Sequence, residues 1–260
     1  MTGMIERLPN PRTITALARM TIEHNTGEYL INDTPVSKAS LDAAILLGAV
    51  RQRVMFTPRD EGGGGTLECR SSDFAQGKPT RTFPVDASNF PLFAINEAQQ
   101  QEGSFLACGA CTFAEWSTSA SGNKVHPRCT PQIAVPLLIP SMNMNEPFTL
   151  AVVSYQRSAE QPITEYMKEF TKANRPAYTA ITRLRLDINL GKTFKYSKPT
   201  FTNIANVGEE FWPALSAIYQ AAKVIIKTPP APPPARTGGM LSVGSSAEVS
   251  APTYTGGFFS

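Results

Sequence analysis

Four cysteines and one histidine are the residues whose types and spacing most clearly indicate chemistry in this sequence. Cys108 and Cys111 are separated by two residues, and His126 and Cys129 repeat that spacing further along the chain. Cys69 lies upstream, in the segment TLECRSSD. Ligand pairs with this spacing are typical of tetrahedral zinc sites, because a short turn brings both side chains onto one ion. The sequence therefore predicts a bound zinc ion.

Five candidate side chains compete for the four ligand positions of such a site. The favoured set is Cys69, Cys108, Cys111 and Cys129, because thiolates bind zinc strongly and Cys69 has no other evident partner. The alternative set replaces Cys69 with His126 and closes the site locally. Either set leaves no position for a reactive water, so we expect structural zinc. Two disulfides in a secreted protein are the other interpretation of four cysteines.

The motifs of several common enzyme classes are incomplete or missing in the sequence. Zinc deaminases pair His-x-Glu with Pro-Cys-x-x-Cys, but here Ala107 precedes Cys108 and His24 belongs to His-Asn-Thr. The four glycines at 62–65 are not followed by the Gly-Lys-Ser/Thr of a P-loop. We therefore expect a non-catalytic protein, and an enzyme of unrecognised type is an alternative.

Positive charge is concentrated in the segment 150–200. The whole chain has a net charge of +3, yet this segment holds nine Lys or Arg residues and four acids, a surplus of five. Proteins that hold single-stranded nucleic acid combine cations for the phosphates with aromatic faces on which bases stack. In the competing interpretation the aromatic side chains face the core and the cations are solvated. The candidate nucleic-acid-binding residues are Arg157, Tyr178, Arg183, Arg185, Lys192, Phe194, Lys195, Tyr196 and Lys198.

Hydrophobic periodicity predicts a mixture of strands and helices. Strands are expected over 133–139, with an interruption at Pro136, and over 148–155, whereas the opening segment is ambiguous between helix and strand. Helices are expected from Ser37 or Ser40 to about Arg53, and over 162–173 and 209–227. Alternation over 178–201 predicts a hairpin that turns at Leu190-Gly191 and has one apolar and one basic face.

Composition divides the chain into a folded part and a tail. Residues 228–260 are rich in proline, glycine and serine and nearly free of charge, so we expect a disordered tail. Residues 1–227 are expected to form one α+β domain, with the zinc-binding region at about 66–131. The tail residues that could dock a protein partner are Tyr254, Phe258 and Phe259.

Neither a membrane span nor a signal peptide is evident. No run approaches the roughly 20 apolar residues that cross a bilayer, and residues 1–10 lack an apolar core. We therefore expect a soluble, cytoplasmic protein that does not act at a membrane.

Together the zinc site, the basic and aromatic hairpin and the aromatic tail tip resemble the layout of bacteriophage single-stranded DNA-binding proteins. The resemblance implies an OB-like β domain, or another mixed antiparallel β domain, that carries a strand-binding groove beside a zinc-stabilised insertion and a few helices. It also implies a role in phage-type replication or recombination in the host cytoplasm. The chain departs from that family in its tail, where Glu248 is the only acid after Glu210.

A second function is compatible with the same features. A zinc-stabilised interaction or assembly factor, for instance a viral structural or transcription-modulating protein, would use the tail to bind its partner. The residues leave DNA and RNA open as ligands, and they leave the oligomeric state open.

Overall fold

The computed structural model describes residues 8–24, 26–56, 67–79, 106–108, 111–118, 122, 124–141, 147–190 and 195–228. Fourteen strands lie in this part of the chain, and they are β1 Ala18–Glu23, β2 Glu28–Ile31, β3 Thr34–Pro35, β4 Ile45–Leu46, β5 Val50–Phe56, β6 Leu67–Ser71, β7 Gln76–Pro79, β8 Leu106–Ala107, β9 Ser117–Thr118, β10 Lys124–Val125, β11 Cys129–Pro140, β12 Phe148–Gln156, β13 Ala180–Leu190 and β14 Lys195–Asn206. The α-helices there are α1 Lys38–Leu41, α2 Glu160–Lys172 and α3 Trp212–Lys227. None of these helices is both long and apolar enough to cross a membrane.

One large sheet organises the fold. Its strand order is β3-β2-β1-β12-β11-β5-β6-β7-β8, and β4 also pairs with β11. The pairs are antiparallel except β1 and β12, which run parallel. The fold is therefore α+β with a mostly antiparallel sheet and a few helices, as predicted at that level.

Alternate residues of the central strands β11 and β12 project from opposite faces of the sheet. Val135 and Val153 are register partners on one face, whereas Ala134 and Ser154 are partners on the other. The predicted strand over 148–155 is confirmed. The predicted interruption at Pro136 is wrong, because β11 continues through it to Pro140. Pro136 is tolerated where the partner on the other side of β11 changes from β5 to β4.

The first face of the sheet is covered by α2 and by the β13–β14 hairpin. Ile163, Tyr166 and Phe170 of α2 are buried against this face. The Tyr166 hydroxyl lies 2.7 Å from Oγ1 of Thr182 on β13, which satisfies both buried groups. Helical spacing of the apolar residues predicted α2, and its observed span confirms the prediction.

A second hydrophobic cluster joins α3 to the end of the sheet and to the hairpin. Leu215 and Ile218 of α3 are fully buried against Leu138 of β11 and Ile181 of β13. A 3-10 turn over Glu209–Phe211 precedes α3, and the helix ends at Lys227, so the helix predicted over 209–227 is confirmed apart from its first turn.

The helix predicted from Ser37 or Ser40 to Arg53 is wrong. Only the four residues of α1 are α-helical, with Ser37 as the N-cap that accepts from the backbone N–H of Ser40. The chain then forms β4 and β5. Ala44 to Leu47 are all buried, and a run that is buried on every side shows no periodicity that separates helix from strand.

The predicted hairpin is present as β13 and β14, with residues 191–194 outside the described part of the chain. The turn between β1 and β2 lies against it. Nδ1 of His24 accepts from the backbone N–H of Ser197 at 3.2 Å. Gly27 has a φ of +69°, and a Cβ there would lie 2.7 Å from Cγ1 of Ile188. Only glycine combines this backbone conformation with so close an approach.

Candidate metal centre and candidate nucleic-acid interface

Three neighbouring strands bring two of the predicted zinc ligands to one face of the sheet. Met55 of β5 is the register partner of Cys129 on β11 and of Cys69 on β6. Side chains directly opposite each other on paired strands project from the same face. All three side chains are buried in one cluster that also contains Phe113.

The other two cysteines follow β8, and one of them, Cys111, packs against the same cluster. The backbone N–H of Cys108 donates to Ala75 O at 2.9 Å, which ties Cys108 to the loop between β6 and β7. The backbone N–H of Cys111 then donates to Cys108 O at 3.4 Å. Cys108 is buried and Cys111 is partly buried against the cluster. Cys69, Cys111 and Cys129 of the favoured set therefore share this cluster, and Cys108 is buried near it.

Burial and mutual repulsion raise the pKa values of the thiols of Cys69, Cys111 and Cys129. Burial and repulsion from the other three thiolates raise the pKa of Cys69 to about 12. Burial and repulsion from Cys111 and Cys108 likewise raise the pKa of Cys129 to about 12, opposed by the Arg53 guanidinium. Without a bound cation these two thiols are therefore protonated near neutral pH, and a cation bound beside them would favour their thiolate forms.

Other groups around the cluster offset part of the cost of the thiolate form. Burial raises the pKa of Cys111, but the backbone N–H groups of Phe113 and Ala114 donate to its sulfur and lower it, as does the charge of Arg53. The Arg128 guanidinium lies over the Phe113 ring at 5.2 Å and pairs with Glu68 at 3.0 Å. Such surrounding hydrogen bonds and charges orient sulfur ligands and tune their basicity.

The four thiols lie near one another, but they are not arranged to coordinate a metal ion. Among the described residues, no three His, Cys, Asp or Glu side chains stand where they could hold a metal ion as arranged. Cys69 and Cys129 are held by the paired strands β6, β5 and β11, whereas Cys108 and Cys111 follow the short strand β8. The donor set of four thiols suits zinc.

His126 lies outside this cluster. Its side chain is exposed, and its ring packs against Trp116 with 4.2 Å between the ring centroids. Trp116 is itself 58% exposed. The geometry therefore favours the four cysteines over the set that includes His126.

The hairpin carries Arg183 and Arg185 on its outer face. Arg183 Nε lies 3.1 Å from Oδ1 of Asp42, and Nη2 of Arg185 contacts the same oxygen. Asp42 follows α1 directly, so its position depends on that short helix. One carboxylate thus offsets part of the charge of two guanidinium groups.

The other predicted contact residues that the structure describes lie on different elements. Lys198 is exposed on the outer face of β14, and Arg157 is exposed at the end of β12. Tyr178 is half-buried against the second hydrophobic cluster, which leaves less of its ring for stacking. Lys195 and Tyr196 begin β14. The predicted residues that lie outside the described part of the chain are Lys192, Phe194, Tyr254, Phe258 and Phe259.

A groove that the sequence did not predict crosses the second face of the large sheet. Its volume is about 880 Å³, and side chains of β1, β12, β11, β5 and β6 form its floor. Residues 15–17 and the C-terminal end of α3 also line it. No described residue of the β13–β14 hairpin contributes to it, so the groove and the basic face of the hairpin are separate surfaces.

Cations lie on the two outer strands of this groove. Arg19 is exposed on β1 and Arg70 lies on β6, four strands away, which corresponds to roughly 19 Å across the sheet. Arg70 donates through Nη1 to Ile226 O at 2.8 Å and to Thr228 O at 3.1 Å, and so holds the C-terminal end of α3 beside the groove. The described lining residues include no Asp or Glu.

Amide side chains occupy the middle of the groove floor. Gln52, Gln132 and Gln156 are register partners across β5, β11 and β12. Nε2 of Gln156 donates to Oε1 of Gln132 at 2.9 Å. Polar residues inside otherwise apolar strands are the sequence signal that could have revealed this face, but Gln52 fell within a segment predicted as helix.

The two surfaces support different chemistry. The cysteine cluster offers sulfur atoms, which are soft ligands that suit zinc. The groove offers cations, amides and apolar side chains, which suits binding of an extended polar ligand. Comparison of the chain with protein-family models, with curated proteins and with solved structures found no match.

Proposed function

We propose that this protein is a non-catalytic single-stranded nucleic-acid-binding protein with a structural zinc ion. The observation that carries the proposal is the groove on the second sheet face, whose described lining holds Arg19, Arg70 and His24 but no carboxylate. A bound strand places a negative charge at every nucleotide, so a lining of this kind attracts it and a carboxylate would oppose it.

The shape of the groove favours an unpaired strand over a duplex. The floor is a sheet face that the end of α3 covers in part, and Phe56, Leu67 and Val152 add apolar surface to its lining. Splayed bases can lie on such a surface while the phosphates reach the cations, which is how OB-like domains hold single strands. A phage-type role in replication or recombination is part of this proposal.

Zinc is proposed as the clamp that holds the distal strands of the sheet. Its ligands would be Cys69, Cys108, Cys111 and Cys129. The clamp would join β6 and β11 to the turn after β8 and stabilise the edge of the sheet next to the groove. The zinc therefore supports the binding face without touching the strand.

Binding of a labelled single-stranded oligonucleotide, followed by fluorescence anisotropy at increasing salt, tests the proposal. We expect measurable affinity at low salt and a linear fall of log affinity with log salt concentration. Two or three phosphate contacts predict a slope of roughly −1.4 to −2.1, because each contact releases counterions from the strand.

Two controls accompany this titration. A duplex of the same sequence should bind more weakly, and a protein lacking residues 229–260 should retain its affinity for the single strand. Undetectable binding at low salt, or binding that does not respond to salt, would contradict the proposed function. Loss of strand binding on deletion of the tail would instead point to the tail as the binding element.

A further inference from the structure

Gln52 stands out among the side chains of the groove floor. It lies on β5, is 3% exposed, and lines the groove. Its Oε1 atom has no hydrogen-bond partner among the described residues. Its register neighbour Gln132 already accepts from Gln156.

A buried acceptor without a partner needs a physical reason. Leaving it unsatisfied costs free energy, whereas an apolar side chain of similar size would fill the same position without that cost. Buried polar groups in native proteins are nearly always hydrogen-bonded, and each exception needs an explanation such as a functional role or a bound water or ion. The groove beside Gln52 has room for such a ligand, with a volume of about 880 Å³.

We propose that Oε1 of Gln52 accepts a hydrogen bond from the exocyclic amino group of an unpaired nucleobase in the groove. This inference rests on the proposed function and names the group that contacts a base. The amino group of cytosine is a donor at the position where thymine carries an acceptor oxygen. It is available to a protein at the Watson–Crick edge only when the base is unpaired.

The position of Gln52 agrees with this role. It lies on an inner strand of the floor, three strands from β1 and one strand from β6, between the strands that carry Arg19 and Arg70. Phosphates held by cations at the sides would leave the bases over the centre. The arginines would then supply affinity without regard to sequence, and Gln52 would add a preference between bases.

Oligodeoxycytidylate and oligodeoxythymidylate of equal length are the probes for this inference. The full-length protein should bind the cytidylate more tightly by about two- to tenfold, the worth of one ordinary hydrogen bond. The substitution Gln52→Met should weaken cytidylate binding by a similar factor and abolish the preference. Because it removes an unsatisfied buried acceptor, the variant should melt at the same temperature as the original protein or higher.

Gln161→Met is the matched control, since Gln161 lies on α2 and donates to Glu165 outside the groove. This control variant should change neither the affinity for the oligonucleotides nor the preference for cytidylate. Equal binding of the two probes by the unmodified protein, or an unchanged preference in a folded Gln52→Met variant, overturns this inference alone. Absence of binding to both probes overturns the proposed function together with it.

Discussion

Replacement of Cys69 by serine is expected to abolish stoichiometric zinc binding and to destabilise the protein. The hydroxyl is a poor zinc ligand, and three remaining thiols leave the ion partly open to water. Binding to a structural zinc site is coupled to folding, so the free energy of unfolding should fall by about 3 kcal/mol or more. For a chain of this size that lowers the melting temperature by roughly 6–12 °C. Elemental analysis of the purified protein and thermal unfolding followed by circular dichroism measure the two effects.

His126→Ala is the matched control for this experiment. The His126 ring lies against Trp116 on the surface and outside the thiol cluster, so the variant should keep one zinc ion per chain and nearly its full stability. The opposite pattern, with zinc lost on replacement of His126 and kept on replacement of Cys69, would favour the local ligand set. A melting temperature that a strong chelator does not change, in a protein purified without zinc, would contradict the metal site itself.

Charge reversal by Arg19→Glu is expected to weaken binding of a single-stranded oligonucleotide by about tenfold or more, equivalent to about 1.4 kcal/mol. Arg19 is exposed on β1 at one side of the groove, and no described carboxylate pairs with it. Its replacement removes one phosphate contact and adds a like charge. The slope of log affinity against log salt should become shallower by about 1.

Joint replacement of Arg183 and Arg185 by glutamate is the comparison that separates the groove from the hairpin. Both arginines interact with Asp42, so the net charge that they offer to a strand is smaller than their number suggests. We expect this pair of substitutions to weaken binding less than Arg19→Glu does. A larger effect from the hairpin than from Arg19 would move the binding face to the hairpin and contradict its assignment to the groove.

Stability measurements must accompany both sets of variants. The Arg183–Asp42 and Arg185–Asp42 pairs are partly exposed, and such pairs typically contribute about 0.2–1 kcal/mol. Arg19 is exposed, so its replacement should leave the melting temperature nearly unchanged. A difference in affinity between folded variants then reports on strand binding rather than on unfolding.

Elements with a regular burial pattern were predictable from the sequence. In α2 the apolar residues recur at helical spacing, and in β12 buried and less buried residues largely alternate, so each pattern survives in the sequence. The segment from Ala44 to Phe56 was not predictable in the same way. Its first residues are enclosed on every side by β11, the hairpin and α3, and such enclosure removes the periodicity on which the prediction depends.

The sequence predicts only part of the arrangement of the candidate metal centre. The Cys-x-x-Cys spacing is local, so a turn alone explains why Cys108 and Cys111 lie together. The approach of Cys69 and Cys129 depends on the pairing of β6, β5 and β11 through Met55. The sequence could propose both ligand sets, but only the pairing of these strands favours Cys69 over His126.

The sequence by itself determined the residue types that can bind zinc, the excess of positive charge over 150–200, and the elements with strong periodicity. Only the tertiary structure determined which of these residues lie close to one another. Asp42 approaches the hairpin arginines from a distant part of the chain, and the groove gathers Arg19, Gln52 and Arg70 from three separate strands. The physical reason is that strand pairing places residues far apart in the chain on a common face, and no local pattern records which strands will be neighbours.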